Sequence, residues 1–288
     1  MISRAKAYLI PYLVFFVINL MVYTMLQAIQ SIGTSAKAEI AGAISRYILA
    51  GLYSHDTNMP NCAPLWFLTC LFITYFYFWF LMKSKSKIRR ILMVVLYLGI
   101  LFFVNQLESV YGIEQLPWHI DVALIASVFM LIGYELKKLS RCFLQSKYRI
   151  LICTVCFIAG SVIAFFNKRV IMVTNQYGNM ISFLVGATAM SVVVYDFSMR
   201  LCSARDRVSI RFAKLFGFWG RNTLMFIGFN YMINLAVRQL MKIFNLEATY
   251  VYSIVDIICV MIGCSAIAYL WNWIHGKISR SPMKSAAN

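Results

Sequence analysis

Charge is scarce in this chain, and acid scarcest: 13% of its 288 residues are Asp, Glu, Lys or Arg, and Asp and Glu together number 10. A soluble globular domain carries about 25% charged residues, so a chain that is 61% hydrophobic lacks the polar surface to keep its apolar side chains from water. Histidine is also rare, at three residues, which argues against metal-dependent catalysis. The G-x-S-x-G and H-E-x-x-H signatures and phosphate-cradling glycine loops are missing, as are low-complexity tracts and a clear internal repeat. Of eight cysteines, Cys70, Cys153, Cys156, Cys259 and Cys264 fall inside apolar runs and Cys62 alone is expected outside, so no disulfide framework follows. Cys153 and Cys156 have C-x-x-C spacing without a nearby histidine and read as small apolar packing.

What is abundant is apolar sequence in long stretches. A hydrocarbon core about 30 Å thick takes about 20 helical residues, and runs near that length lie at about residues 7–27, 63–82, 91–107, 119–136, 149–166, 180–200, 222–241 and 250–273. A β-barrel shows short alternating strands instead. The expectation is an all-α polytopic transmembrane helix bundle of about eight spans, one membrane domain over 1–288. Its first partner is the lipid bilayer.

The formal charge of +17 does not point to nucleic acid, because the cations fall between spans rather than on a soluble face. With the N-terminus inside, 21 of the 27 lysines and arginines lie in cytoplasmic segments, so the positive-inside rule puts both termini in the cytoplasm. The first span is too long for a signal-peptide core and has no small-residue cleavage site after it, so it is expected to be retained. Trp66, Tyr75, Tyr77, Trp79, Trp118, Trp219, Tyr250, Tyr252, Trp271 and Trp273 cluster near span ends as interface anchors.

The largest outer loop is expected at about 28–62, with Gln27, Gln30, Lys37, Glu39, Arg46, His55, Asp56 and Asn58 available to cover a polar substrate or simply to be solvated. Shorter outer loops follow at 108–118 and 167–179, the latter with Lys168, Arg169, Asn175 and Gln176. Ionisable groups inside spans are costly and mark function or pairing. His119 and Asp121 are the acid/base candidates, although i and i+2 on a helix diverge. Asp196 stands four residues from Arg200, as an ion pair does. Asp256 has no basic neighbour in its span and serves either a bundle hydrogen bond or a substrate path. Asn230 and Asn234 share one helix face, suited to gluing helices or to binding sugar hydroxyls.

Four segments, in order, resemble the acyltransferase-3 family of multispan O-acyltransferases, which includes fucose O-acetylase-like proteins. Pro64 to Phe72, PLWFLTCLF, is similar to the family's P-L-W-F-L-P-A-L-F, with Thr69 where proline is common. Ser3 to Tyr12, SRAKAYLIPY, resembles its basic entry segment ending L-I-P-Y. Leu116 to Lys138 resembles a later span ending at a glycine, a tyrosine and a basic pair. Gly220 to Leu224, GRNTL, resembles the G-K-N-S/T-L opening of a late span.

The resemblance implies a bundle of about ten helices that takes an acyl group, usually acetyl from acetyl-CoA, and passes it to a hydroxyl of a cell-surface glycan or lipid-linked sugar. No bound cofactor is implied, and a bacterial cytoplasmic (inner) membrane is the expected location. Arg4 and Lys6 are then expected to hold the phosphates of the acyl donor, and Trp66 and Asn230 to line the transfer path. The departures are specific. The family's paired arginines fall on Arg4 and Ala7, its later histidine falls on Asn230, and the chain begins with what resembles the third span, leaving the first two and their histidine without counterpart. A late-assigned start, a degenerate member or a partner polypeptide each accounts for that. The alternatives in function are a transporter or flippase for glycan precursors and a non-catalytic scaffold.

Overall fold

Uninterrupted runs of Leu, Ile, Val and Phe satisfy their backbone polar groups internally only as helices, and helices make up nearly all of the structure. The structure is a computed structural model that describes residues 2–30, 37–54, 63–112, 116–243 and 250–280. Its elements are α1 (Ile2–Gln30), α2 (Lys37–Tyr53), α3 (Trp66–Lys83), α4 (Lys87–Tyr111), α5 (Ile120–Gln145), α6 (Arg149–Phe166), α7 (Met180–Ser203), α8 (Arg207–Arg221), α9 (Thr223–Ile243) and α10 (Tyr250–Arg280). Single 3-10 turns at Ala63–Leu65 and Pro117–His119 lead into α3 and α5. No strand occurs among the described residues beyond one isolated bridge between Ile171 and Gln176.

Among the described residues, seven helices are long and apolar enough to cross a membrane: α1, α3, α4, α5, α6, α7 and α10. This is one fewer than the eight expected spans. The helix that falls short is α9, whose 21 residues include Asn230, Asn234, Arg238, Gln239 and Lys242. Two segments expected as connections are helical. In α2, Tyr47, Ala50 and Gly51 are buried at the i, i+3, i+4 spacing of one helix face. In α8, Arg207, Arg211, Lys214 and Arg221 alternate with Val208, Ile210, Phe212, Leu215 and Phe216, a composition suited to the headgroup layer. His55, Asp56, Asn58 and Cys62 lie outside the described residues.

The helices gather into two compact units. The first holds the described residues of 1–10, 53–55 and 66–214. Its centre is α5, in which Asp121, Val122, Ala123, Leu124, Ile125, Ser127 and Val128 are buried. Leu81, Tyr97, Leu101, Leu124, Ile125 and Tyr177 form its core cluster, whereas Ile91, Leu92, Val95, Phe102 and Phe103 of α4 stay exposed, as a lipid-facing helix requires. Helices α6 and α7 cross at Gly160 and Gly186, where an added Cβ at Gly186 meets Ile163 Cγ2 at 2.9 Å. Gly186→Val is expected to destabilise the protein by about 1–3 kcal/mol through overpacking. Gly99→Ala, with nothing within 4 Å, is expected to be neutral or to stabilise by up to about 1 kcal/mol. Thermal unfolding in detergent compares the two.

The second unit holds the described residues of 11–52, 56–65 and 215–288. Tyr47 stacks on Phe16 and Tyr23 at centroid distances of 5.8 and 4.7 Å, and the Tyr12 hydroxyl donates to the Gly51 carbonyl. Fully buried Asn19 donates through Nδ2 to the Phe15 carbonyl at 2.8 Å and reaches that of Gly228 at 3.5 Å. Helices α9 and α10 pair, with Asn234 Nδ2 donating to Asp256 Oδ2 at 2.7 Å.

Candidate functional site

Most buried polar residues of the first unit, among them Ser54, Thr69, Glu108, His119, Asp121 and Asn175, lie at the end away from the short turn joining α3 to α4. There the starts of α3 and α5, the end of α4 and the 167–179 turn come together. Pro117 opens the turn into α5, and Trp118 and His119 follow at φ 55° and 52°. Two consecutive non-glycine residues in the left-handed region cost on the order of 1–2 kcal/mol each, and such strain gathers at functional positions.

The strained turn aims the fully buried His119 ring at α3. Its Nε2 lies 3.1 Å from the Ser54 carbonyl, and its ring lies 4.7 Å from that of Trp66. A carbonyl only accepts, so Nε2 carries the proton and Nδ1 holds the lone pair of the neutral ring. Ser54 is also held through its hydroxyl, 2.8 Å from Thr69 Oγ1. Thr69 donates to the Trp66 carbonyl at 2.8 Å, so the Ser54 hydroxyl is the donor to Thr69.

Asp121, 3% exposed, turns the other way. Its carboxylate faces Glu108 and takes the first backbone N–H groups of α5, where orphan donors favour an anion. The hydrogen bond that orients His119 Nε2 is the one to the Ser54 carbonyl. Glu108, 7% exposed, accepts at Oε2 from Asn175 Nδ2 at 2.9 Å. Asn175, at φ 58°, accepts through its carbonyl from Asn105 Nδ2 at 2.9 Å. The Tyr177 phenol is pushed well above its ordinary value by burial and by the Asp121, Cys70 and Glu108 groups it faces, which keeps it neutral.

The remaining sequence candidates lie elsewhere. Arg4 and Lys6 are exposed and lie within α1, with the Arg4 guanidinium 4.6 Å from the centroid of the Tyr75 ring. Tyr75 is nine residues along α3 from Trp66, about 13 Å at 1.5 Å per residue. Asn230 belongs to the second unit, where it lines a cavity of about 280 Å³ with Tyr231, Asn234 and Asp256. Asp196 is held by Arg149 as well as by Arg200, the latter at 2.6 Å. Asp196→Asn is expected to destabilise by about 1–2 kcal/mol, reduced by the exposure of Arg200. Thermal unfolding of the variant checks this.

Glu108 and Tyr177 escaped the sequence reading. Glu108 closes the apolar run LFFVNQLE and resembles the start of a loop, although Asn105 three residues earlier puts two polar groups on one face. Among the described residues, no three His, Cys, Asp or Glu side chains converge as metal ligands do.

Fold and site together define a polytopic α-helical membrane protein with a buried polar cluster at one end of its first unit. No protein-family model, curated protein or solved structure matches the chain. The resemblance to the acyltransferase-3 family therefore stands on its four segments.

Proposed function

We propose that the chain is an integral membrane O-acyltransferase moving an acyl group, acetyl above all, from acyl-CoA to a hydroxyl of a cell-surface glycan or lipid-linked sugar. One observation supports this reading most. Segments 64–72 and 116–138, which resemble one family but lie apart in sequence, meet at Trp66 and His119.

In this reading His119 Nδ1 takes the proton of the acceptor hydroxyl as the oxygen attacks the thioester carbonyl. The C–S bond breaks, the acyl group passes to the oxygen, and the CoA thiolate leaves and recovers the proton from the imidazolium. Arg4 and Lys6 hold the donor's phosphates. The lysines and arginines of the turns between spans set the cytoplasmic side and both termini, in a bacterial cytoplasmic membrane. With the donor's phosphates at the Arg4 end of α3, its thioester has to reach the Trp66 end, where His119 lies.

A transporter or flippase for glycan precursors is the second reading, favoured by the Glu108–Asp121 pair, because carboxylates at membrane depth mark ion pathways. Membranes containing the chain, given labelled acetyl-CoA, separate the two. Hydroxylamine-labile label in the glycan fraction supports transfer, and its absence above a vector control rules transfer out.

A further inference from the structure

Five buried oxygens of the first unit have no hydrogen-bond partner among the described residues; Thr188 Oγ1 lies along α7, and the other four are Glu108 Oε1, Asp121 Oδ1, Asn175 Oδ1 and the Tyr177 hydroxyl. These four come from the end of α4, the start of α5 and the 167–179 turn, and their residues are 7%, 3%, 1% and 2% exposed. Chance scatter does not explain their shared location. Tyr177 faces both carboxylates, Glu108 faces Asp121, and Asn175 is bonded to Glu108.

The chemistry of the set is uniform. Three of the four oxygens are acceptors only and the fourth is a phenol, so the occupant must bring positive charge or donors. Two carboxylates side by side in a dry site repel, and one amide donor with the N-terminal dipole of α5 offsets only part of their charge. Carboxylate, amide and phenol oxygens are ligands for hard cations.

We propose that Glu108, Asp121, Asn175 and Tyr177 form a binding site for a hard metal cation of the alkali or alkaline-earth type. The site ties the α4 and α5 ends to the 167–179 turn, and it does not depend on the acyl-transfer reading. Its order of charge favours a cation that completes its shell with water, since the four protein oxygens fall short of the six to eight ligands of a calcium site.

The test is thermal unfolding of the purified chain in detergent, followed by tryptophan fluorescence, in sodium, calcium and choline chloride at matched ionic strength. Either metal at about 100 times its Kd is expected to raise the Tm by about 5–10 °C over choline. Glu108→Gln and Asp121→Asn, which keep side-chain shape, are expected to abolish that rise. Tyr177→Phe, which removes one neutral ligand, is expected to shrink it and serves if either isostere fails to fold. Equal Tm values in the three salts overturn the site, as does a rise that persists unchanged in the variants. A carboxylate pair that shares a proton instead gives a Tm that follows pH and ignores the salt, which also overturns it.

Discussion

Asn175→Val is expected to destabilise the protein by about 2–5 kcal/mol, lowering the Tm on the order of 10 °C. Two independent costs add. Asn175 sits at φ 58°, ψ 23°, where asparagine is tolerated and a β-branched residue is strained by about 1–2 kcal/mol. Valine also removes the amide that donates to Glu108 Oε2 at 2.9 Å, leaving a buried carboxylate short of a partner at a further cost of about 1–3 kcal/mol. Asn175→Gly separates the terms, because glycine accepts the backbone and lacks the amide. It is expected to lose the second part alone. If valine and glycine unfold together at the native temperature, the turn does not depend on this residue.

His119→Gln is expected to reduce acyl transfer by about 10²–10⁴-fold, the usual contribution of a positioned acid/base group, while moving the Tm little. Glutamine carries an amide N–H that can take the place of Nε2 toward the Ser54 carbonyl, now at 3.1 Å. It cannot accept a proton at neutral pH. The variant thus keeps the anchor and removes the base. His119→Ala does not make this distinction, because it also empties the space against Trp66. Transfer at the native rate in His119→Gln assigns the ring to structure.

The sequence made the helices legible wherever a single apolar run set the boundaries, as in α3, α6 and α7. It failed where apolar character was diluted. Lys37, Glu39 and Arg46 made α2 resemble a loop, although the Tyr47, Ala50, Gly51 stripe was present. The amides of α9 were legible as one face, but the partner of Asn234 is 22 residues away on α10. Asp196 illustrates the same limit. Its bond to Arg200 follows from i,i+4 spacing, whereas its bond to Arg149 crosses 47 residues. At the site, His119 and Asp121 were visible as rare polar groups near a span end. That they separate, one to Ser54 and Trp66 and the other to Glu108, depends on the left-handed Trp118–His119 turn, and side-chain periodicity carries no record of it.

The most direct test of the central claim is acetyl transfer by the purified chain in proteoliposomes, with labelled acetyl-CoA and a hydroxyl-bearing glycan or lipid-linked sugar. The account predicts ester-linked label in the acceptor that depends on the chain and falls with His119→Gln. Proteoliposomes that hold the folded chain and leave the acceptor unlabelled contradict it.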